Sequence, residues 1–365
     1  MPRMRTFVIA GAALLVARRT LRRRVKQSPL WPMPALDEPV SGRGRNAAGQ
    51  GSGVRQLTVV ERTAEAEGVV RLRLAGAELP AWEPGAHLDL VLPSGAVRQY
   101  SLCGDPATPD AYTIATRLIE DGRGGSREVH ELLHEGTVVQ ARGPRNRFPL
   151  HDSHAYVFIA GGIGITPILP MVRQAEREGV PWQLVYGGRS RASMPFLAEI
   201  EKLAGAGADR VTVVAEDEDG RPDLAAVLAG APPHAAVYCC GPEPLMAAVE
   251  ALLPTVPEGL TLHTERFAPV ADAPSGENAP FEVELRRTGR TVAVAADTSV
   301  LRAIRDQALP DLPYSCEQGF CGTCQQRVLS GEVDHRDELL TDAERADSLL
   351  ICVSRARSGG LVLDL

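Results

Sequence analysis

From Val54 to about Leu150 apolar and polar residues alternate in short runs: QLTVVERT, GVVRLRLAG, HLDLVLPSG, VRQYSLCG, AYTIATRL and TVVQARGP. A period of two sends every second side chain to one face. With Gly, Pro and Asp turns between the runs, it predicts an antiparallel barrel over residues 53–150. At His151 the pattern changes. YVFIAGG is a continuous apolar run, and ILPMVRQAEREG after it has helical spacing. The alternation goes on through WQLVYGG, FLAEIEKL, VTVVAEDE, LAAVLAG, AAVYCCGP and LMAAVEALL. Strand following helix in this way predicts an α/β domain over residues 151–268, a parallel sheet with helices on both faces. Residues 269–280 are rich in Pro, Ala and Gly without periodicity and read as a linker. Residues 281–365 form a third, smaller unit: two strands, a helix near Val300–Gln307, then a cysteine-rich loop.

Three units fit a chain of 365 residues, and 44% hydrophobic with 23% charged residues is ordinary for a soluble globular protein. The net charge of −7 hides an asymmetry. Residues 1–50 hold ten Arg/Lys against two Asp/Glu, about +8, which leaves about −15 for the rest. An acidic body argues against nucleic acid as a partner. Residues 1–52 are a basic and apolar extension ending in the flexible stretch Ser41–Gly53. The apolar run Phe7–Ala17 is followed by Arg18, Arg19, Arg22, Arg23, Arg24 and Lys26. Eleven helical residues span about 16 Å, half of a bilayer's hydrocarbon core, so a crossing is not expected. A basic cluster after the run rather than before it argues against an export signal. Two readings stand: peripheral contact with the inner face of the membrane, or a disordered basic arm.

Four of the seven cysteines lie in the last fifty residues. Cys316, Cys321 and Cys324 have C-x4-C-x2-C spacing, and Cys352 follows after 27 residues. That is the ligand spacing of plant-type [2Fe–2S] ferredoxins. Structural zinc favours two C-x2-C pairs, and only one is present. Thiols kept for metal imply a reducing, cytoplasmic compartment.

Ala160–Pro167 (AGGIGITP) follows an apolar strand and opens a helix. Gly161, Gly162 and Gly164 allow a phosphate or ring to approach the backbone, with helix N–H groups beyond them. Pro167 occupies the place of a third glycine, so this is not the standard dinucleotide fingerprint. Cys240, Gly241 and Pro242 end a later strand of the same sheet, where ligands of open α/β sheets bind. Arg98, Gln99, Tyr100 and Ser101 end a barrel strand. Tyr100 offers a flat face for an isoalloxazine ring, Ser101 a hydrogen bond and Arg98 a partner for phosphate. Gly124, Gly125 and Ser126 lead into a helix that can seat a phosphate. After WQLVYGG, where an NAD site usually has a carboxylate, the chain reads Gly188-Arg189-Ser190-Arg191. Arg189 and Arg191 suit a 2′-phosphate, which favours NADPH at least as much as NADH. His130 to His134 spell H-E-x-x-H, but no third ligand follows and Gly136 ends the helix, so the pair reads as an exposed helix face rather than a zinc site.

The order RQYS, GRGGS, GGIGITP, CCGPEPLM, SCEQGFCGTC resembles the phthalate dioxygenase reductase and vanillate demethylase reductase family, from about Gly53 to Leu365. The resemblance implies a flavin-binding barrel, a pyridine-nucleotide domain and a C-terminal β-grasp ferredoxin domain. It implies FMN held by Arg98, Tyr100, Ser101, the strand Ala115-Thr116-Arg117, and Gly124, Gly125 and Ser126. Thr166 would face the flavin, Cys240 would lie near the nicotinamide, and Glu265 with Phe267 would end the reductase core. The cluster ligands would be Cys316, Cys321, Cys324 and Cys352. The implied activity is that of a monomeric NAD(P)H-dependent reductase, with FMN bridging a two-electron donor and a one-electron cluster. A Rieske-type oxygenase or a cytochrome P450 would accept the electrons. A membrane-associated redox sensor with slow turnover is the competing function.

Overall fold

The computed structural model describes residues 54–108, 110–205, 210–256, 259–267, 278–337 and 339–365. The expectations for residues 1–52 and for most of the linker lie outside the described residues.

Six antiparallel strands make the first unit: β1 (Arg55–Ala66), β2 (Val69–Ala75), β3 (Ala86–Val91), β4 (Val97–Ser101), β5 (Ala111–Arg117) and β6 (Val138–Asn146). Their order is β4-β3-β6-β1-β2-β5, and a bridge from Leu102 to Ile114 joins the two edges into a barrel. The alternation of the sequence decides which side faces in. Leu57 and Val59, Leu72 and Leu74, Leu88 and Leu90, and Tyr112 and Ile114 are buried together. Helix α1 (Gly125–Leu132) adds Val129 to this core, as does Leu133 just beyond it. His130 is therefore not on an exposed face. It is half-buried, with Nε2 2.9 Å from the Thr116 carbonyl of β5, while His134 Nε2 turns to the Glu131 carbonyl. The two rings serve different backbone atoms and do not converge on a metal.

The second unit is a parallel sheet of β7 (Tyr156–Gly161), β8 (Trp182–Gly188), β9 (Val211–Ala215), β10 (Ala236–Cys240) and β11 (Thr261–Glu265), ordered β11-β10-β7-β8-β9. Helices α2 (Ile165–Glu178), α3 (Leu197–Ala204), α4 (Glu216–Asp219), α5 (Leu224–Ala229) and α6 (Glu243–Leu252) connect the strands. Both faces are covered: Tyr156, Phe158 and Ala160 enter one core, Val157 and Ile159 the other. The strand order reverses between β7 and β10. That is the switch point at which open α/β sheets bind ligands beyond the carboxyl ends of their strands.

The third unit is a mixed sheet of β12 (Phe281–Leu285), β13 (Arg290–Val294), β14 (Gln325–Asp334), β15 (Ser348–Leu350) and β16 (Arg355–Leu363), ordered β13-β12-β16-β14-β15. Helix α7 (Val300–Gln307) packs on it, its first turn capped by Ser299, whose Oγ accepts from the Arg302 N–H at 3.2 Å. A four-residue helix, α8 (Asp342–Arg345), precedes β15. The cysteine loop spans the gap between α7 and β14. No helix among the described residues is long and apolar enough to cross a membrane.

Candidate functional site

A cavity of about 430 Å³ opens where the three units meet. The barrel supplies Arg98, Gln99, Tyr100 and Ser101 from β4, Ala115, Thr116 and Arg117 from β5, and Gly125 and Ser126 from the start of α1. Ile163 and Thr166 come from the turn after β7, and Glu265 and Phe267 from the end of β11. The cysteine loop closes the remaining side with Ser315, Cys316, Gln318, Phe320 and Cys321. The stretches expected at a flavin thus converge, although they lie far apart in the chain.

The barrel wall has the features of an anion and ring site. Arg98 lies against the N-terminus of α1: its Nη2 donates to the Arg123 carbonyl at 3.2 Å. A Cβ at Gly125 would stand 2.7 Å from Arg98 Nε, so a side chain there would push the arginine away from the helix end. Free helix N–H groups beside a guanidinium suit a phosphate. Thr116 Oγ1 is buried without a hydrogen-bond partner and lies on a cavity-lining residue. An orphan hydroxyl of this kind calls for a ligand.

On the other wall, Thr166 Oγ1 donates to the Ile163 carbonyl at 2.9 Å and fixes the turn. Glu265 meets Ser101 across the cavity, Oγ to Oε2 at 3.3 Å. Burial pushes the Glu265 carboxyl up to about 8, with Ser101 pulling the other way. Cys240 pairs in register with Glu265 but does not line the cavity. It is fully buried in the core beside α2, and burial, then Glu265, raise its thiol well above the usual range. The close approach at the switch point is made by backbone instead. A Cβ at Gly164 would lie 2.2 Å from the Cys240 carbonyl oxygen, so glycine is required for the turn after β7 to cross the end of β10. Gly161 faces Pro242 and Gly241 in the same crevice. Gly162 and Gly124 have left-handed φ of 54° and 79°, and neither lines the cavity.

Arg189 and Arg191 lie beyond β8, outside the cavity. Arg189 is exposed, and its carbonyl accepts from the Asp217 N–H of α4 at 3.1 Å. Arg191 is paired with Glu201 of α3. Four acidic residues, Glu216 to Asp219, make up α4. The sequence alone did not show that Glu201 pairs with Arg191 or that α4 bonds to the Arg189 backbone, because α3 and α4 come from separate segments.

The cysteine loop brings Cys316 into hydrogen-bonding reach of Cys321 and Cys352, and Cys352 of Cys324. All four are buried. Backbone N–H groups point at the sulfurs: Gln318 donates to Cys316 Sγ at 3.3 Å and Cys316 to Cys321 Sγ at 3.4 Å. Glu317, Gly319 and Gly322 take left-handed φ of 56°, 82° and 73°, which lets the loop turn back on itself. The Cys316 thiol, then burial, raise Cys321 above its ordinary value. A bound metal ion supplies the charge that removes such protons. Four convergent thiols with N–H donors fit a thiolate-held iron–sulfur cluster.

Several residues that hold this loop escaped the motif reading. Arg123 donates to the Cys316 carbonyl, Arg147 to Gln325 Oε1 at 2.5 Å, and Ser315 Oγ to the Val97 carbonyl at 3.4 Å. Gln99, expected at the flavin, also faces the loop, with Nε2 3.2 Å from Thr323 Oγ1. The signal available was slight: a run of charged residues (PRNR) on a strand and a threonine inside the cysteine motif.

Two family models match. The 2Fe-2S iron-sulfur cluster binding domain covers residues 283–357, and the oxidoreductase NAD-binding domain covers residues 158–251. The chain is 44% identical over 293 residues to the phenoxybenzoate dioxygenase subunit beta of Ectopseudomonas oleovorans, covering 79% of this chain and 89% of that one. Among solved structures, an intact type IV self-sufficient cytochrome P450 monooxygenase matches with a TM-score of 0.74 and 39% identity. The match covers 86% of this chain but only 41% of that one. Phthalate dioxygenase reductase, described as a modular structure for electron transfer from pyridine nucleotides to [2Fe–2S], matches with a TM-score of 0.63 and 37% identity, over 86% of this chain and 98% of that one. At that identity and coverage the chain belongs to the family of phthalate dioxygenase reductase and vanillate O-demethylase oxidoreductase: it is an NAD-linked electron-transfer oxidoreductase with a C-terminal [2Fe–2S] domain.

Proposed function

We propose that the protein is the reductase component of an oxygenase system, drawing hydride from a nicotinamide coenzyme and passing single electrons to a separate Rieske-type oxygenase or cytochrome P450. The observation that supports this most is the shared cavity, in which residues of the barrel, the nucleotide domain and the cysteine loop border one space. FMN held there would supply the exchange between a two-electron donor and a one-electron acceptor. The chain's own residues provide binding and orientation. Arg98 and the N-terminus of α1 hold the phosphate, Tyr100 offers a ring face, and Thr116 supplies a hydrogen bond. Thr166 and the glycine turn after β7 bring the nicotinamide to the opposite side. Glu265, kept protonated by burial to about pH 8, is a neutral donor or acceptor beside Ser101. No side-chain acid or base is needed for hydride transfer. Cys316, Cys321, Cys324 and Cys352 ligate the cluster. Buried thiols kept for metal suit a cytoplasmic setting.

Flavin identity tests the binding part of this reading. Acid release from the purified protein is expected to give FMN, and Arg98→Ala to lose it on dilution, at a cost of about 1.5–3 kcal/mol for a charged hydrogen bond. FAD in the wild type would contradict the assignment of this corner. Coenzyme choice rests on Arg189 and Arg191, now seen beside Glu201 and α4. If they read a 2′-phosphate, the double alanine variant loses kcat/KM for NADPH selectively. An unchanged NADPH/NADH ratio would remove both from the site.

A further inference from the structure

Thr323 lies between two proposed cluster ligands and is 3% exposed. Its Oγ1 has three polar neighbours. Gln99 Nε2 of the barrel is at 3.2 Å, Arg145 Nη2 of the barrel at 3.3 Å, and Cys321 Sγ at 3.4 Å. Arg145 is a donor only, so it donates to the hydroxyl oxygen. Gln99 presents its amide nitrogen, an orientation set by the Cys321 carbonyl, which can only accept and lies 3.4 Å away. Both lone pairs of the threonine oxygen are thus engaged by the barrel, and its single hydrogen is left. A cysteine that ligates iron has lost its proton, so Cys321 Sγ is an acceptor. It is the remaining partner for that hydrogen.

The barrel groups are themselves fixed from behind. Arg145 is paired with Asp89, whose side chain is fully buried. Gln99 Nε2 also lies 3.3 Å from His87 Nε2, and His87 is 4% exposed. Burial, then the charge of Arg145, lower His87 to about 4, which keeps its ring neutral, so the two amide N–H groups of Gln99 are shared among Thr323 Oγ1, the Cys321 carbonyl and His87 Nε2.

We propose that the flavin barrel tunes the cluster's reduction potential through Thr323, with Gln99 and Arg145 orienting its hydroxyl to donate to the Cys321 thiolate. Hydrogen bonds to a ligating sulfur withdraw electron density from the cluster and raise its potential. Thr323, Gln99 and Arg145 are positioning residues, and the cluster reaches its working potential only when its loop is seated on the barrel. The inference rests on the reading of the four cysteines as ligands.

The test is a potentiometric titration of the reduced-cluster EPR signal in the intact holoprotein. Thr323→Val is expected to shift the midpoint to lower potential, and Thr323→Ser to restore it. Gln99→Leu and Arg145→Gln are each expected to lower it in the wild-type background and to have little further effect in Thr323→Val. That last comparison separates hydroxyl orientation from the loss of an arginine charge, which would act equally in both backgrounds. Beside the exchangeable couplings of the backbone N–H donors, one exchangeable-proton coupling seen by ENDOR in H2O and absent in D2O is expected to disappear in Thr323→Val, and its persistence there overturns the proposal. An unchanged midpoint in Thr323→Val, additive shifts, or a wild-type signal without an exchangeable coupling overturns the proposal. A wild type with no [2Fe–2S] signal overturns the ligand assignment and this inference with it.

Discussion

Where the barrel meets the parallel-sheet domain, Val69, Cys103, Ala115 and Phe148 enter the same core as Phe158, Leu169 and Tyr238. Where it meets the cluster domain, the contacts described are polar: hydrogen bonds of Arg123 to Cys316, Gln99 and Arg145 to Thr323, Arg147 to Gln325 and Ser315 to Val97, and an ion pair of Arg147 with Glu344. The buried core of the cluster domain draws only on residues from Val283 onward. Burial of apolar surface is strong and non-directional, whereas a hydrogen bond nets about 0.5–1.5 kcal/mol and demands geometry. The barrel and the nucleotide domain therefore share one apolar core. The cluster domain is seated by direction rather than by bulk.

The largest effect should come from the apolar side of this comparison. Phe148 is 3% exposed and its ring lies 5.4 Å from Tyr238. Phe148→Ala is expected to cost about 3–5 kcal/mol, and to loosen barrel and nucleotide domain together. With Trp31 of the extension replaced by Phe, Trp82 and Trp182 report these two domains by emission, and cluster absorption reports the third domain, which has no tryptophan. The emission transition should fall well below the cluster transition in denaturant. Equal shifts would mean that the polar seam couples all three units.

A smaller effect probes the polar side. His87 sits behind Gln99 with its folded-state value lowered from 6.5 to about 4, first by burial and then by Arg145. The unfolded chain binds the proton more readily, so the stability this group contributes is complete above pH 6.5 and is lost as pH falls towards 4. The thermal midpoint of the wild type should drop across that window, and His87→Gln should flatten the drop. An identical slope in the variant would assign the acid sensitivity to other groups.

Period and spacing were enough to read the strands of the barrel and of the parallel sheet, because Leu57, Leu72 and Leu88 alternate with polar neighbours and YVFIAGG does not. The cysteine loop was readable because three of its four expected ligands, Cys316, Cys321 and Cys324, are local. The rest of the site was less so. Cys240, which the resemblance puts near the nicotinamide, is buried in the core at the end of β10, and its neighbour on β11, Glu265, is the one that lines the cavity. Gln99 stands among flavin-facing residues but pairs with a threonine 224 positions away in the chain. Contacts at such separation leave no periodic trace, and neither does the placement of α4 next to Arg189.

The central claim is a linear route from coenzyme through the shared cavity to the cluster and outward. Cys324→Ser tests it most directly, by removing one proposed ligand from a loop that leaves the barrel wall intact. With NADH as donor and flavin content confirmed, ferricyanide reduction should persist near the wild-type rate while cytochrome c reduction collapses. Loss of both activities with flavin retained, or survival of both with the cluster gone, would contradict the route.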